Sequence, residues 1–440
     1  MKKTGIKLLF KLSHLVAESG LGDVDRSGCL EEAAMTCNSN EVAKLSEFHS
    51  LFHLVSRYFY RNYAFVRWHA EVSNSITTTG DNMSRRKFLG TAGLAAVAAA
   101  PALVAAQPTL RWRLASSFPK SLPTLYGASE VFAKAVSDLT GGRFQVSTHP
   151  GGELVPPLGV MTAVSEGTVE ACHTCPYYFF GTNEAFAFDC AIPFGMNSRA
   201  MTAWMFEGNG MKLMREFYSG YGFINFPMGN TGTQMGGWYR KEIKTPADLK
   251  GLKMRIGGFG GRILARLGGV PQNLPGSEVY TALEKGAIDA VEWAGPYDDE
   301  KLGFYKVAPY YYYPGWFEGS TQCSIYINDK AFNALTPEYR SVVEHAASTA
   351  HITMQARYDA QNPEALKRLV SKGAKLRPMT NEVLSAAWKA SQTEYAELNA
   401  KNPQWRKIYE DYTAFQKNSV LWSRFSDLSF DNFMARTLKV

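Results

Sequence analysis

The sequence lacks catalytic signatures and a strong charge imbalance. Its 440 residues contain neither a G-x-S-x-G nucleophile elbow nor an H-E-x-x-H zinc motif. The formal net charge is +7, and residues 1–106, with 12 Lys and Arg against 9 Asp and Glu, supply three of those charges. So mild an excess, with no basic stripe interleaved with aromatics, argues against a nucleic-acid partner.

Apolar runs of spanning length are also missing. The one weakly apolar stretch, rich in Ala and Gly, follows Ser84-Arg85-Arg86-Lys87 and ends at Val104-Ala105-Ala106. A basic start, an apolar middle and a small-residue end describe a secretory signal peptide, and the paired arginines indicate the Tat export route. A transmembrane anchor is the alternative, disfavoured by Pro101 and by the many Ala and Gly. We therefore expect a periplasmic protein whose true start is Met83.

Cysteine is scarce, with six residues, of which four would remain after processing. Cys172 and Cys175 form a C-x-x-C, the spacing of redox dithiols and of half a zinc site. No second C-x-x-C accompanies it. A structural role, reduced or disulfide-bonded, is favoured over catalysis.

What the sequence does contain is the pattern of an α/β protein. A strand at 110–116, a helix ending at Gly141-Gly142 and a strand at 143–148 predict a β-α-β opening. The pattern A-[VL]-x-x-G-x-[VI]-[ED]-A occurs at 163–171 and again at 282–290. Two copies so far apart indicate two similar lobes, with the ligand between them at the carboxyl ends of strands. Beyond Thr336-Pro337 the pattern is almost wholly helical.

Three features near the expected cleft could carry chemistry. Arg255 ends an apolar strand, where its planar fork suits either a carboxylate ligand or a structural salt bridge. Glu292 and Trp293 follow the second copy of the repeated pattern, so the acid could pair with Arg255 or bind a hard cation. The glycines at 257–261 lack phosphate-loop spacing and predict a strand-to-helix turn. The aromatic run at 309–318 predicts a connector or a pocket wall.

Several motifs, taken in order, resemble the DctP-type substrate-binding subunits of TRAP transporters over residues 110–440. They are L-T-G-G-R-F, P-G-G-E-L, A-V-x-x-G-T-V-E-A, P-A-D-L-K-G-L-K-M-R and A-L-x-x-G-x-I-D-A-x-E-W. Within that family, G-N-T-G-T-Q, E-W-A-G-P-Y-D-D and Y-Y-Y-Y-P-G-W resemble the branch that binds 2-oxo and 2-hydroxy monocarboxylates with a cation. Two departures, G-G-F-G-G and F-E-G at 317–319, are expected to affect lobe packing or pocket size.

The resemblance implies a role for each candidate residue. Arg255 would pair with the ligand carboxylate, Asn230 would hydrogen-bond the ligand and Tyr178 would wall the pocket. Gln234, Glu292 and the main-chain carbonyl of Trp293 would hold Na⁺ or Ca²⁺. No catalytic residue is expected.

The fold class expected is α/β, a two-lobed periplasmic binding protein with a helical C-terminal region. The predicted divisions are 1–82 (a spurious or disordered extension), 83–106 (the signal), 107–230 (lobe 1), 231–317 (lobe 2) and 318–440 (the return to lobe 1 and the C-terminal helices).

The function expected is delivery of a small carboxylate such as pyruvate or lactate, with its cation, to TRAP membrane subunits. A homodimer through the C-terminal helices is the expected assembly. Two alternatives stay open: a Tat-exported redox enzyme using Cys172 and Cys175, and a binding protein that feeds a sensor.

Overall fold

The structure is a computed structural model that describes residues 109–438. The predictions of an extension over 1–82 and a signal over 83–106 lie outside these residues. Within 109–438, no helix is both long enough and apolar enough to cross a bilayer.

The described chain alternates strands and helices before ending in helices. The strands are β1 (Leu110–Ser116), β2 (Phe144–His149), β3 (Ala171–Thr174), β4 (Phe223–Asn230), β5 (Gly237–Tyr239), β6 (Lys253–Arg255), β7 (Val270–Gln272), β8 (Ala290–Val291), β9 (Tyr310–Tyr313), β10 (Gln322–Asn328) and β11 (Lys375–Pro378). The α-helices are α1 (Leu125–Leu139), α2 (Val160–Ser165), α3 (Ser198–Phe206), α4 (Gly210–Ser219), α5 (Gly258–Arg266), α6 (Gly276–Glu284), α7 (Pro296–Leu302), α8 (Asp329–Asn333), α9 (Pro337–Ser371), α10 (Asn381–Lys401), α11 (Pro403–Phe425) and α12 (Asp427–Leu438). Short 3₁₀ turns lie at Pro176–Phe179, Glu184–Asp189, Pro246–Leu249 and Phe304–Lys306.

The first lobe is built on a five-stranded sheet in the order β2-β1-β3-β10-β4. β1 runs parallel to β2 and β3, whereas β10 runs antiparallel to β3 and β4. The predicted β-α-β opening is confirmed by β1, α1 and β2. The helix ends as expected, since Gly141 and Gly142 both have positive φ, a conformation that glycine adopts without a steric penalty.

The second lobe is built on a six-stranded sheet in the order β11-β9-β5-β8-β6-β7. The two copies of the repeated pattern occupy equivalent places in the two lobes. In each, a helix ends near a glycine of positive φ, Gly167 or Gly286, and a buried strand follows, β3 or β8. The expected two-lobed α/β class is confirmed.

The C-terminal part departs from the predicted division. Residues 318–440 were expected to return to the first lobe and continue as helices. β10 does join the first sheet, but β11 pairs in parallel with β9 in the second. Between β10 and β11 the chain therefore returns to the second sheet, where β11 forms the edge strand next to β9.

One helix connects the two lobes. α9 packs against α1 and β4 of the first lobe and against α7 of the second. Near its C-terminal end, Arg368 and Lys372 both form salt bridges with Glu300 of α7, at 2.7 Å. The first lobe and part of the second are thus anchored on one rigid element.

Candidate functional site

A small cavity lies between the lobes, where strands of both sheets end. Its lining residues come from the segment after β1, the turn after β3, the loop after β4, the end of β6, the segment after β8 and the segment before β10. They are Phe118, Leu125, Cys175, Tyr177, Tyr178, Thr231, Gln234, Arg255, Trp293, Ala294 and Thr321. Four of the six predicted site residues, Arg255, Gln234, Tyr178 and Trp293, are therefore brought together here.

Arg255 is the charged residue at the centre of the cavity, with only 1% of its surface exposed. Its Nη1 donates to the main-chain carbonyl of Glu292 at 2.8 Å and also to the Glu292 carboxylate, and its Nε donates to the carbonyl of Leu274 at 3.2 Å. Its guanidinium lies 4.6 Å from the centre of the Trp293 ring. Within residues 109–438, Nη2 forms no hydrogen bond, so two donors of the fork are available for a ligand.

Glu292 is the ion-pair partner of Arg255. One oxygen of its carboxylate accepts from Arg255 and, at 2.8 Å, from the backbone N–H of Gly257, and the other has no partner. Burial raises the pKa of Glu292, and the charge of Arg255 opposes that rise. For Arg255, burial acts to lower the pKa, but the negative charge of Glu292, together with the smaller effects of Tyr178, Tyr177 and Glu318, outweighs it and the pKa is raised. Arg255 and Glu292 thus form a buried ion pair.

Gln234 brings an amide oxygen into the cavity wall. Its Nε2 donates to the hydroxyls of Thr321 at 2.7 Å and Thr231 at 3.3 Å. Its Oε1 is buried and has no partner. A buried acceptor without a donor is costly, and a cation or a ligand hydroxyl would satisfy it.

Glu318 was not predicted as a site residue, and it lies behind the cavity lining, where its main-chain carbonyl accepts from the N–H of Gln234 at 3.5 Å. Its carboxylate accepts from the Thr321 hydroxyl, which in turn accepts from Gln234. Burial, followed by the nearby charge of Glu292, raises the pKa of Glu318 well above its usual range. A buried carboxyl beside another negative charge is stabilised in its charged form by a nearby cation.

Asn230, predicted to hydrogen-bond the ligand, is the last residue of β4. It is fully buried, but it does not line the cavity. Its Oδ1 accepts from the backbone N–H of Gly232 at 2.9 Å, and its Nδ2 reaches Ser320 at 3.5 Å. Asn230 therefore holds the loop that presents Thr231 and Gln234.

The C-x-x-C cysteines do not face each other. Cys172 lies opposite Tyr326 in the sheet, whereas the Sγ of Cys175 lies 3.3 Å from the Sγ of Cys323. Burial would raise the pKa of Cys175, but hydrogen bonds from Cys190, Cys323 and Tyr177, with the charge of Arg255, lower it to about 5. A C-x-x-C redox centre is not assembled by this geometry.

The oxygen donors fit a hard cation better than a transition metal. No group of three or more His, Cys, Asp or Glu suited to a metal occurs in residues 109–438. One carboxylate, an amide oxygen and main-chain carbonyls are the ligands that Na⁺ and Ca²⁺ use. The orphaned Oε1 of Gln234 and the buried Glu318 provide the first two.

Comparison with known proteins gives consistent matches. The family model described as bacterial extracellular solute-binding protein, family 7 (DctP), matches residues 115–402. The monocarboxylate 2-oxoacid-binding periplasmic protein of Nostoc sp. is 46% identical over 360 residues, which is 80% of this chain and 99% of that protein.

Two solved structures are similar along nearly their whole length. A TRAP transporter solute-binding protein from Bordetella bronchiseptica, a mixed-occupancy dimer with copurified calcium and picolinate, is 49% identical with a TM-score of 0.75, covering 76% of this chain and 99% of that one. A TRAP periplasmic solute-binding protein from Pseudoalteromonas atlantica, with bound sodium and pyruvate, is 39% identical with a TM-score of 0.72, covering 74% and 99%.

Proposed function

Because the chain belongs to the family 7 bacterial extracellular solute-binding proteins, we propose that it captures a small 2-oxo or 2-hydroxy monocarboxylate, with Na⁺ or Ca²⁺, for a TRAP transporter. One observation carries the proposal: the free Nη2 donors of buried Arg255 share a cavity with the unpartnered oxygen of Gln234. An anionic group and an adjacent oxygen of one small ligand would use both.

Arg255 is the anchor for the carboxylate. Its fork is held by Glu292 and by the carbonyl of Leu274, so little side-chain freedom remains to be lost when a ligand binds. Trp293 and Tyr178 wall the cavity and exclude water, which strengthens a charge-assisted hydrogen bond.

The cation site in this proposal comprises Gln234 Oε1, the Glu318 carboxylate and the carbonyl of Trp293. A bound cation would offset the negative charge of Glu318 and attract the 2-oxo or 2-hydroxy oxygen of the ligand. Glu292, predicted as a cation ligand, gives one oxygen to Arg255 and Gly257, and its other oxygen has no partner. In the proposal it orients Arg255 and can give that second oxygen to the cation, whose main carboxylate ligand is Glu318.

Capture occurs when the lobes close. Gln234 and Thr231 follow β4 of the first lobe, whereas Arg255 ends β6 and Trp293 follows β8 in the second. A ligand that contacts both sets favours the closed state by its differential affinity for it.

The chain acts without catalysis in this proposal and is exported by the Tat route from Met83. It delivers its ligand to TRAP membrane subunits.

We further propose a homodimer formed through α11 and α12. These helices expose a row of large apolar side chains, each more than half exposed: Val420, Leu421, Trp422, Phe425, Leu428, Phe430 and Phe433. Apolar surface on this scale marks a protein–protein contact, and a second copy of the chain presents the complementary face.

A thermal-shift screen tests the proposed ligand. Pyruvate, lactate and longer 2-oxo acids are compared with sugars and amino acids, each with Na⁺, Ca²⁺ or chelator. We expect 2-oxo acids to raise the melting temperature in a cation-dependent way, since a ligand that binds only the folded state stabilises it. A shift with sugars or amino acids and none with a 2-oxo acid would rule the proposal out.

A further inference from the structure

Three buried thiols from separate segments meet under the cavity floor. Cys175 follows β3, Cys190 follows the turn at Glu184–Asp189, and Cys323 is the second residue of β10. Each is 3% exposed or less. The Sγ atoms of Cys175 and Cys323 are 3.3 Å apart, and the carbonyl of Cys190 accepts from the N–H of Gln322 at 3.2 Å. The proposed binding function uses none of them.

The backbone around Cys175 and Cys323 suits a disulfide. β3 and β10 are antiparallel and their last pair is Thr174 with Ser324, so Cys175 and Cys323 lie one residue beyond the end of the ladder. Residues paired across antiparallel strands have Cα atoms roughly 4.5–5.5 Å apart, within the range that disulfides span, and the two Sγ atoms here are 3.3 Å apart. Cys172, facing Tyr326 on the same ladder, has no such partner.

The pair is connected to the binding cavity. Cys175 lines it together with Arg255. The carbonyl of Cys175 accepts from the N–H of Tyr178 at 3.1 Å and so begins the turn that carries Tyr177. Tyr177 packs on Gly257 and Gly258 of the second lobe, where an added Cβ would lie 2.6–2.7 Å from its ring. With the lobes in contact, Cys175 is only 3% exposed.

We propose that Cys175 and Cys323 are an oxidisable dithiol whose exposure is controlled by lobe closure. The Cys175 thiolate attacks a disulfide of the oxidant, such as an exported thiol–disulfide oxidoreductase or a small disulfide, and releases one thiolate. The Cys323 sulfur then attacks the mixed disulfide and releases the second. Two protons and two electrons leave the protein, the oxidant becomes two thiols, and one S–S bond forms. An oxidising extracytoplasmic compartment favours this direction.

The experiment uses the full-length mature protein, reduced and then exposed to oxidised glutathione. Free thiols are alkylated after denaturation and counted by mass spectrometry, and peptide mapping locates the bond. We expect the number of free thiols to fall from four to two, with a Cys175–Cys323 cross-link. Cys323→Ser combined with Cys190→Ser should stop at a mixed disulfide on Cys175, because both thiols next to Cys175 are then gone. Cys172→Ser, a buried control, should oxidise like the wild type.

The second measurement is protection by ligand. Saturating pyruvate with Ca²⁺ should slow oxidation at least fivefold, because the closed lobes shield Cys175. This step rests on the proposed function, so pyruvate binding is measured on the same sample. Protein that does not bind pyruvate refutes the ligand assignment and leaves the cross-link result standing.

Two outcomes overturn the inference. One is a protein that keeps four free thiols with excess oxidant, or a cross-link mapped to another pair. The other is a protein that binds pyruvate but oxidises at the same rate with and without it.

Discussion

Arg255 brings a positive charge into the cavity on a side chain that is almost inaccessible to water. Such a residue is stable only because Glu292 compensates it, and its remaining donors define what the cavity accepts. A carboxylate is an anion that can accept from the two free N–H groups of Nη2.

Replacement of the Arg255 guanidinium tests whether it binds the ligand carboxylate. Arg255→Lys keeps the charge but not the paired donors, so pyruvate affinity should fall by roughly tenfold or more, about 1.4 kcal/mol. Isothermal calorimetry measures it. Arg262→Lys, an arginine of the same lobe that does not line the cavity, is the control and should bind as the wild type does. Equal affinity in both variants contradicts the role of Arg255.

Substitution of Glu318 should affect ligand binding, whereas substitution of Glu292 should affect stability. Glu318→Gln removes charge at the proposed cation site, so pyruvate binding should weaken and become insensitive to chelator. Glu292→Gln leaves Arg255 buried without its counter-charge and should lower the free energy of unfolding by on the order of 3–5 kcal/mol. Calorimetry with and without chelator, and urea unfolding, distinguish them. Chelator sensitivity retained in Glu318→Gln but lost in Glu292→Gln would reverse the assignment.

The sequence predicted which charged residue lies at the site better than it predicted which residues contact one another. Arg255 stood out because an arginine ending an apolar strand needs an anionic partner, although a ligand and a salt bridge were equally open, and the structure contains the salt bridge. Glu318 was missed because it lies in an aromatic run that indicates only packing. The hydrogen bond of Asn230 to Gly232 depends on a turn that no residue pattern reveals.

At the level of elements, the start of α5 is where the lobes touch. Gly258 has φ +52, and Tyr177 of the first lobe packs directly against it. Glycine is required at position 258 for two reasons: the backbone has a positive φ, and a Cβ would collide with the ring of Tyr177.

A pair of glycine variants separates these requirements. Gly258→Ala and Gly251→Ala both place a side chain at positive φ, at a cost of roughly 1–2 kcal/mol. Only Gly258 also meets a ring, since nothing lies within 4 Å of a Cβ at Gly251. We expect both to lower the melting temperature but only Gly258→Ala to weaken ligand binding. Similar losses of affinity in both would show that Tyr177 does not matter for closure.

α7 contains two buried neighbouring acids. Asp298 accepts from Tyr358 at 2.5 Å, and Asp299 accepts from Tyr311 at 2.7 Å and Trp238 at 2.9 Å. Burial raises the pKa of each to about 7.

These acids should make stability depend on pH. Between their unfolded pKa near 4 and the folded value near 7, the folded protein holds protons that the unfolded chain has lost. Stability is therefore highest at the acid end of this window and falls as pH rises through 7, by up to about 1.4 kcal/mol per pH unit for each proton. Asp298→Asn should reduce the difference in melting temperature between pH 6 and pH 8. An unchanged difference would contradict the prediction.

Elements were predicted where periodicity is strong. The β-α-β opening and both glycine-ended helices follow from local patterns that tertiary packing did not override. β11 was not foreseen, because four residues between two long helices carry little pattern and each of its residues pairs with a residue of β9 that lies 65 positions earlier in the chain.

At the scale of the whole molecule, the C-terminal helices decide the assembly. Trp422→Glu combined with Phe425→Glu should convert a dimer into a monomer, because two charges on the apolar row would be buried in the interface. Light scattering coupled to size-exclusion chromatography measures the mass. Ile352→Glu, another exposed apolar site at 69% exposure, is the control and should stay dimeric. A wild-type monomer would refute the proposed assembly.

α9 has a further consequence for how the molecule moves. A continuous helix of 35 residues is about 50 Å long, and elements of both lobes pack against it. Separation of the lobes must therefore bend α9 or move α7 along it. Two fluorophores, one near Thr336 and one on α7, would report each opening of the lobes as a change in energy transfer between them. A chain labelled in this way could then serve as an optical sensor for its carboxylate ligand.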